Sequence, residues 1–106
     1  MTKQKELFNQ LLKQAKDTYL YIYNKTFDEK KYDLFFSELL KVSFSEKSTL
    51  YLYNNSVRFD LNTRKRDIII EYSAETKFLT VSTIKDNNVF MKECRINELK
   101  EVVDKI

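Results

Sequence analysis

Up to about residue 42 the apolar residues recur at steps of three and four, and from Thr49 the step becomes two. The first spacing gathers side chains on one face of a helix, the second on one face of a strand. Phe8, Leu11, Leu12, Ala15, Tyr19, Ile22 and Tyr23 form a helical stripe, with Lys3, Gln10, Lys13, Gln14 and Asp17 opposite. The spacing predicts a helix over residues 3–24, about 30 Å long. Tyr19 to Tyr23 also alternates like a strand, but the unbroken period from Phe8 favours helix. Asn24-Lys25 reads as the turn. Thr26-Phe27-Asp28-Glu29 then fits a capping box and predicts a second helix to about Val42. Its stripe is Tyr32, Phe35, Phe36, Leu39 and Leu40. Ser43 to Ser48 reads as loop, with Phe44 held to the core.

In the period-two region, Leu50 and Leu52 alternate with Tyr51 and Tyr53. Asn54-Asn55 reads as a two-residue hairpin turn, because Asn accepts the left-handed backbone such turns require. Val57, Phe59 and Leu61 then alternate with Ser56, Arg58 and Asp60. The charged loop Asn62-Thr63-Arg64-Lys65-Arg66 feeds a strand from Asp67 to Tyr72. Ser73 to Thr76 turns the chain into a strand from Lys77 to Ile84, and Asp86-Asn87-Asn88 turns it into Val89 to Cys94. Connections this short favour a sequential antiparallel meander. A third helix follows, with Asn97 as N-cap, or a start at Arg95 or Ile96. Leu99, Val102, Val103 and Ile106 form its stripe, and Glu101 with Lys105 an i,i+4 pair. The expected fold class is α+β: two N-terminal helices, a five-stranded antiparallel meander sheet and a C-terminal helix, in one domain over residues 1–106.

Composition removes much chemistry. The 106 residues include no Gly, Pro, His or Trp. Without Gly there is no backbone cradle for phosphates, which excludes P-loop and dinucleotide fingerprints. Without His, Ser-His-Asp and Cys-His systems are excluded, as are the usual transition-metal sites. Asp86-Asn87-Asn88 lacks the Gly and distal Glu of a calcium loop, so turn chemistry accounts for it better. Cys94 is the lone cysteine, so no internal disulfide forms. Lys92 and Arg95 would lower its pKa, yet no His activates it, and it reads as a small apolar residue at a strand end. Asp60 and Asp67 flank the basic loop, and Glu71 shares the polar side of the strand with Asp67. They serve as acid and base only if their surroundings separate their pKa values. Paired with Arg58, Arg64 or Arg66 they are ordinary solvated carboxylates. The expectation is a protein with no enzymatic activity, metal or cofactor.

Charge and aromatic content then bear on partners. The formal net charge is +3 and the sequence pI about 8.9, with the excess mainly in residues 1–31. Arg64-Lys65-Arg66 is the densest basic cluster; such a loop contacts phosphates, or simply keeps a tip soluble. The N-terminal MTKQKELFNQLLKQ has no continuous apolar run, so it is not a signal peptide. The longest apolar run, Tyr19 to Tyr23, falls far short of the roughly 18 residues a membrane span needs. With a single thiol, a cytoplasmic location is expected. Heavy use of Lys, Asn, Ile, Tyr and Phe suggests an AT-rich genome and a phage or mobile-element origin.

The second sheet face is the main candidate. If Leu50, Leu52, Val57, Phe59, Leu61, Ile68, Ile70 and Tyr72 meet the helices, then Tyr51, Tyr53, Arg58 and Ile69 point away. A Tyr/Arg-rich open face has the composition of protein interface hot spots. It also resembles in composition a base-stacking platform, though the Gly-containing aromatic motif of the commonest sheet-based RNA binders is absent. A helix over this face would turn the same residues into half-buried packing. The leading expectation is a protein-binding module of inhibitor, immunity or adaptor type. It would act through Tyr51, Tyr53, Arg58 and Ile69, with Arg64, Lys65 and Arg66 at the rim. The alternative is a nucleic-acid-binding protein using loop 62–66 and the Lys-rich first helix. A symmetric homodimer is a third arrangement. Ile69 separates the readings, because a helix over it would end the open-face reading.

Overall fold

Alternation sets the sheet. In the computed structural model, which describes residues 3–106, the period-two region forms β1 (Thr49–Leu52), β2 (Ser56–Asn62), β3 (Asp67–Ser73), β4 (Phe78–Lys85) and β5 (Asn88–Arg95). All neighbours are antiparallel and the order is sequential, β1-β2-β3-β4-β5, the expected meander. On one face Leu50, Phe59, Ile70 and Val81 lie in a cross-strand row. Leu52, Val57, Tyr72 and Leu79 form the row beside it. All eight are buried. Each such side chain contributes roughly 1.5–3 kcal/mol relative to exposure.

The helices pack against that face. They are α1 (Lys3–Tyr23), a 3₁₀ turn (Glu29–Tyr32) joined to α2 (Asp33–Leu39), and a 3₁₀ turn (Ile96–Glu98) leading into α3 (Leu99–Lys105). Phe8 of α1 meets Phe59 edge-on at 6.4 Å, and Phe35 of α2 stacks on Tyr72 at 4.9 Å. Phe44 is held to the core as expected, 5.0 Å from Phe59. Leu99, Val102 and Val103 of α3 are buried in the same cluster. With seven residues each, α2 and α3 are too short to persist unaided, so these contacts hold them.

Helix α1 runs to Tyr23, which decides the alternation of Tyr19 to Tyr23 in favour of helix. Asn24 follows with φ 54°, and its N–H donates to Leu20 O at 2.9 Å. A left-handed Asn thus ends the helix, the work Gly usually does. The stripe departs from expectation at Ile22, which is 63% exposed. The last turn packs instead through Tyr19 on Phe27 at 5.1 Å and Tyr23 on Tyr19 at 4.5 Å.

The second helical segment departs further. No side chain caps its start, so the expected capping box does not form. Glu29 is engaged elsewhere, accepting from Lys16 Nζ of α1 at 2.8 Å. The segment begins as a 3₁₀ turn, becomes α-helical at Asp33 and ends at Leu39, short of Val42. Beyond it, Lys41 and Val42 N–H groups bond three residues back, tightening the last turn. The carbonyls of Leu40 and Val42 accept from Gln4 Nε2 at 2.7 and 2.6 Å. One amide of α1 therefore satisfies the end of α2.

Asn54-Asn55 joins β1 to β2 as the expected two-residue turn, with Tyr53 N–H donating to Ser56 O at 2.8 Å, but not in the expected conformation. Asn54 and Asn55 do not adopt the left-handed conformation. Asn55 O accepts from Ala74 N–H at 3.2 Å, tying this tip to the β3–β4 turn and fixing a different backbone. The left-handed pair is Asp86 and Asn87, φ 52° and 66°, between the paired residues Lys85 and Asn88. Positive φ at both central residues marks a type I′ hairpin turn, and Asn88 already belongs to β5. Asn97 is not an N-cap. The Arg95 N–H donates to Glu98 Oε1 at 2.9 Å, so the turn into α3 starts from Arg95.

The Gln4 bridge gives a stability prediction. Gln4→Leu removes both donors and leaves two carbonyls at a partly buried helix end without them. Unfolding in urea is expected to show a loss of about 1–3 kcal/mol with an unchanged slope. An unchanged midpoint would mean that the bridge does not hold α1 to α2.

Candidate functional site

No described helix covers the middle of the outer sheet face, where strand pairing sets the side chains in cross-strand rows. Tyr51, Arg58, Glu71, Thr80 and Glu93 form one row from β1 to β5. The next is Thr49, Asp60, Ile69, Ser82 and Met91. Beyond it lie Asn62 and Asp67, then the pair Ile84 and Val89. Tyr53, closing the β1–β2 hairpin with Ser56, stands past the first row. Three of the expected site residues, Tyr51, Tyr53 and Arg58, therefore gather at the β1–β2 end. Ile69 sits at mid-sheet, diagonal to Arg58, half-buried among its neighbours and not under a helix.

The Arg58 guanidinium is held in place. It donates to both carboxylate oxygens of Asp60, at 2.6 and 3.1 Å, and lies over the Tyr51 ring, 5.7 Å from its centroid. The Asp60 hydrogen bond raises the Arg58 pKa above its ordinary value, so Arg58 is cationic at every working pH. The result is a pre-ordered, exposed stack of ring and cation with its charge already partnered.

Sequence reasoning missed a larger feature. Ile84, Val89 and Met91 share this face and are 70%, 71% and 71% exposed. Ser82 lies between Ile69 and Met91 in its row, and its small side chain leaves a dip between them. A hollow of about 540 Å³ is lined by Ile69, Ser82, Ile84 and Val89, with Lys65, Arg66 and Asp67 at its margin. The signal was present as strand parity. With Leu79 and Val81 inward, Ile84 falls outward, and the turn sets Val89 opposite Ile84.

The basic loop divides in two. Thr63 closes it: its N–H donates to Arg66 O at 3.1 Å, and its hydroxyl bonds the same oxygen at 2.7 Å. Arg66 is half-buried and donates to the main-chain oxygen of Ile106, so it ties the loop to the end of α3. Arg64 and Lys65 are exposed. On the helix side of this loop a second cleft, about 460 Å³, gathers Lys41, Arg64, Lys65, Arg66 and Lys100 around Asp104. Its extra lysines come from the end of α2 and from α3, not from the Lys-rich first helix.

Asp60 is the partner of Arg58, and Asp67 accepts from Asn62 Nδ2 at 2.7 Å. Glu71 is exposed between Arg58 and Thr80. Among the described residues no three His, Cys, Asp or Glu side chains cluster as metal ligands. No described helix is long and apolar enough to cross a membrane. Cys94 points inward opposite Leu79 and is buried. Burial pushes its thiol pKa up, Glu98 adds to the rise, and Lys92 offsets only part of it. The lysine identified from sequence as an activator is thus outweighed by burial.

Compared with known proteins, the chain matches no family model, no curated protein and no solved structure.

The buried thiol makes a direct prediction. At pH 8 the native protein should leave Cys94 unmodified by a thiol reagent over minutes, and guanidinium should release one fast-reacting thiol. Rapid labelling of the folded chain, with circular dichroism unchanged, would contradict the placement of Cys94.

Proposed function

We propose that this chain is a non-enzymatic, cytoplasmic protein-binding module of inhibitor, immunity or adaptor type, which docks its partner on the open outer face of the sheet. One observation carries this reading: an apolar hollow on a face that no described helix covers. Contiguous exposed apolar surface rimmed by polar groups is what interaction sites have in common. Ile69, Ile84, Val89 and Met91 would supply the contact area. Lys65 and Arg66 at the margin favour a partner with an apolar projection flanked by acidic residues. Tyr51, Tyr53 and Arg58, on the same face, would fix orientation at low entropic cost, because the Arg58 side chain is already held by Asp60.

The test uses the protein as bait in a native lysate, with and without nuclease. Wild type should retain a nuclease-resistant protein partner. Ile84→Asp, at an exposed position, should leave the fold intact and weaken that capture at least about tenfold. Equal capture by wild type and variant would remove the outer face as the docking site.

The basic cleft supports a second reading, binding of single-stranded nucleic acid through phosphates. Five cations line it against one carboxylate, although Lys41 pairs with Glu38 and Lys100 with Asp104. Arg64 and Lys65 are then the residues to test. Oligonucleotide affinity should fall steeply with salt, and Arg64→Ala and Lys65→Ala should each flatten the slope by about 0.7. No binding at low salt would end this reading.

A further inference from the structure

The sheet has two edges, and they are not alike. Strand β1 has four residues and lies beside α1, with a cleft of about 300 Å³ between them lined by Leu11, Ala15, Ile22, Leu50 and Leu52. Strand β5 has eight residues, and all but Cys94 are exposed. Its backbone polarity follows from the turn. In a two-residue hairpin the closing pair, here Lys85 and Asn88, exchanges both hydrogen bonds. Bonded pairs then alternate along the ladder, so Phe90, Lys92 and Cys94 bond to β4. Val89, Met91 and Glu93 direct their N–H and C=O groups out of the sheet. An unpaired row of this length is a template for another strand.

We propose that β5 pairs antiparallel with β5 of a second copy about a two-fold axis at Phe90, joining two five-stranded sheets edge to edge. The side chains of β5 are self-complementary in this register. Val89 lies opposite Met91 of the other copy on the outer face. Phe90 meets its own symmetry mate on the inner face, where it is 51% exposed because its own helices leave it uncovered. Asn88 lies opposite Lys92 and Asn87 opposite Glu93, so no like charges meet. The other registers that match backbone polarity are worse: an axis at Val89 sets Phe90 against Asn88 and Met91 against the turn residue Asn87. An axis at Met91 sets Val89 against Glu93 and Phe90 against Lys92. An axis at Lys92 or Glu93 sets each charge on its twin, which is destabilising. Inward-pointing lysines usually guard an edge. Lys92, however, lines a cleft with Glu98 of the 3₁₀ turn and Glu101 and Lys105 of α3, and in the Phe90-centred register it faces the neutral Asn88 rather than a cation. It therefore selects the register rather than preventing pairing. The pairing stands apart from the outer-face reading, since purified chain alone must show it.

Light scattering after size exclusion tests it on the purified full chain. Wild type should show the mass of two chains at about 0.1 mM and dissociate on dilution. Met91→Pro removes an N–H that β4 does not use, and Phe90→Lys places like charges across the axis. Both should weaken association at least about tenfold with circular dichroism unchanged. Mixing Phe90→Lys with Phe90→Glu should restore the dimer, and Tyr51→Ala should leave it intact. Phe90 is a non-hydrogen-bonded pair with its mate, close enough for a disulfide. Oxidised Phe90→Cys should therefore cross-link where Met91→Cys does not. A wild-type monomer, a dimer that survives both β5 variants, or cross-linking at position 91 instead of 90 would overturn the proposal.

Discussion

The structure depends on one apolar sheet face and on how much helix there is to cover it. Strands β1 to β4, alternating in burial, produce a face of Leu, Val, Ile, Phe and Tyr that has to leave water. Phe8 and Phe44 close on Phe59, and Phe35 and Phe36 continue the ring contacts to Tyr32 and Tyr72. The helices gain their stability from this contact, since α2 and α3 have two turns each. Burial raises the pKa of the Tyr32 and Tyr72 phenols, so both rings remain neutral at this seam.

Covering one face uses all the helix among the described residues. Helix α1 lies along the β1 side, α2 over the middle and α3 beside the end of β5 where Cys94 turns inward. Nothing remains for the outer face or for the β4–β5 hairpin, which carries Ile84, Val89 and Met91 on one side and Phe90 on the other. Exposed apolar residues scattered singly need no explanation. Four on one hairpin, continuous with Ile69 at mid-sheet, call for one. The chain has no glycine to make its turns. Turns are made by Asn24, Lys77, Asp86 and Asn87 in left-handed conformations, each of which costs some strain and narrows the alternatives open to the backbone.

Alternation alone placed Leu50, Val57, Phe59, Ile70 and Tyr72 inward and Tyr51, Arg58 and Ile69 outward, and the period of α1 was readable to Tyr23. These signals are local, repeated and reinforced by burial. What was not legible depends on distant partners. Glu29 matched a cap by spacing, but Lys16 competes for its carboxylate. Asn54-Asn55 matched a left-handed turn by composition, but a bond to Ala74 fixes another backbone. Arg66 belonged to a basic triplet in sequence, and only the fold shows it tied to Ile106 while Arg64 and Lys65 remain outside. Phe90 is instructive in a different way. Its parity is inward, as a core residue's would be, yet it is exposed because the helix layer stops short of it. Parity gives the side of a sheet; the extent of the covering layer decides burial.

The two open features of this surface are physically connected. Val89 and Met91 belong both to the free edge of β5 and to the apolar outer face. A strand laid along that edge would extend the outer face sideways, set two hollows near each other and restrict the side chains between them. A partner seated in the hollow would in turn immobilise Val89 and thereby pre-order the edge. Coupling of this kind is reciprocal by linkage: if edge pairing strengthens docking on the face, docking strengthens edge pairing by the same factor. The Tyr51–Arg58–Asp60 cluster lies at the far end of the sheet, several strands from β5, and does not line the hollow. It would contribute orientation without sensing oligomeric state, so a single sheet face can hold one element that responds to self-association and another that does not.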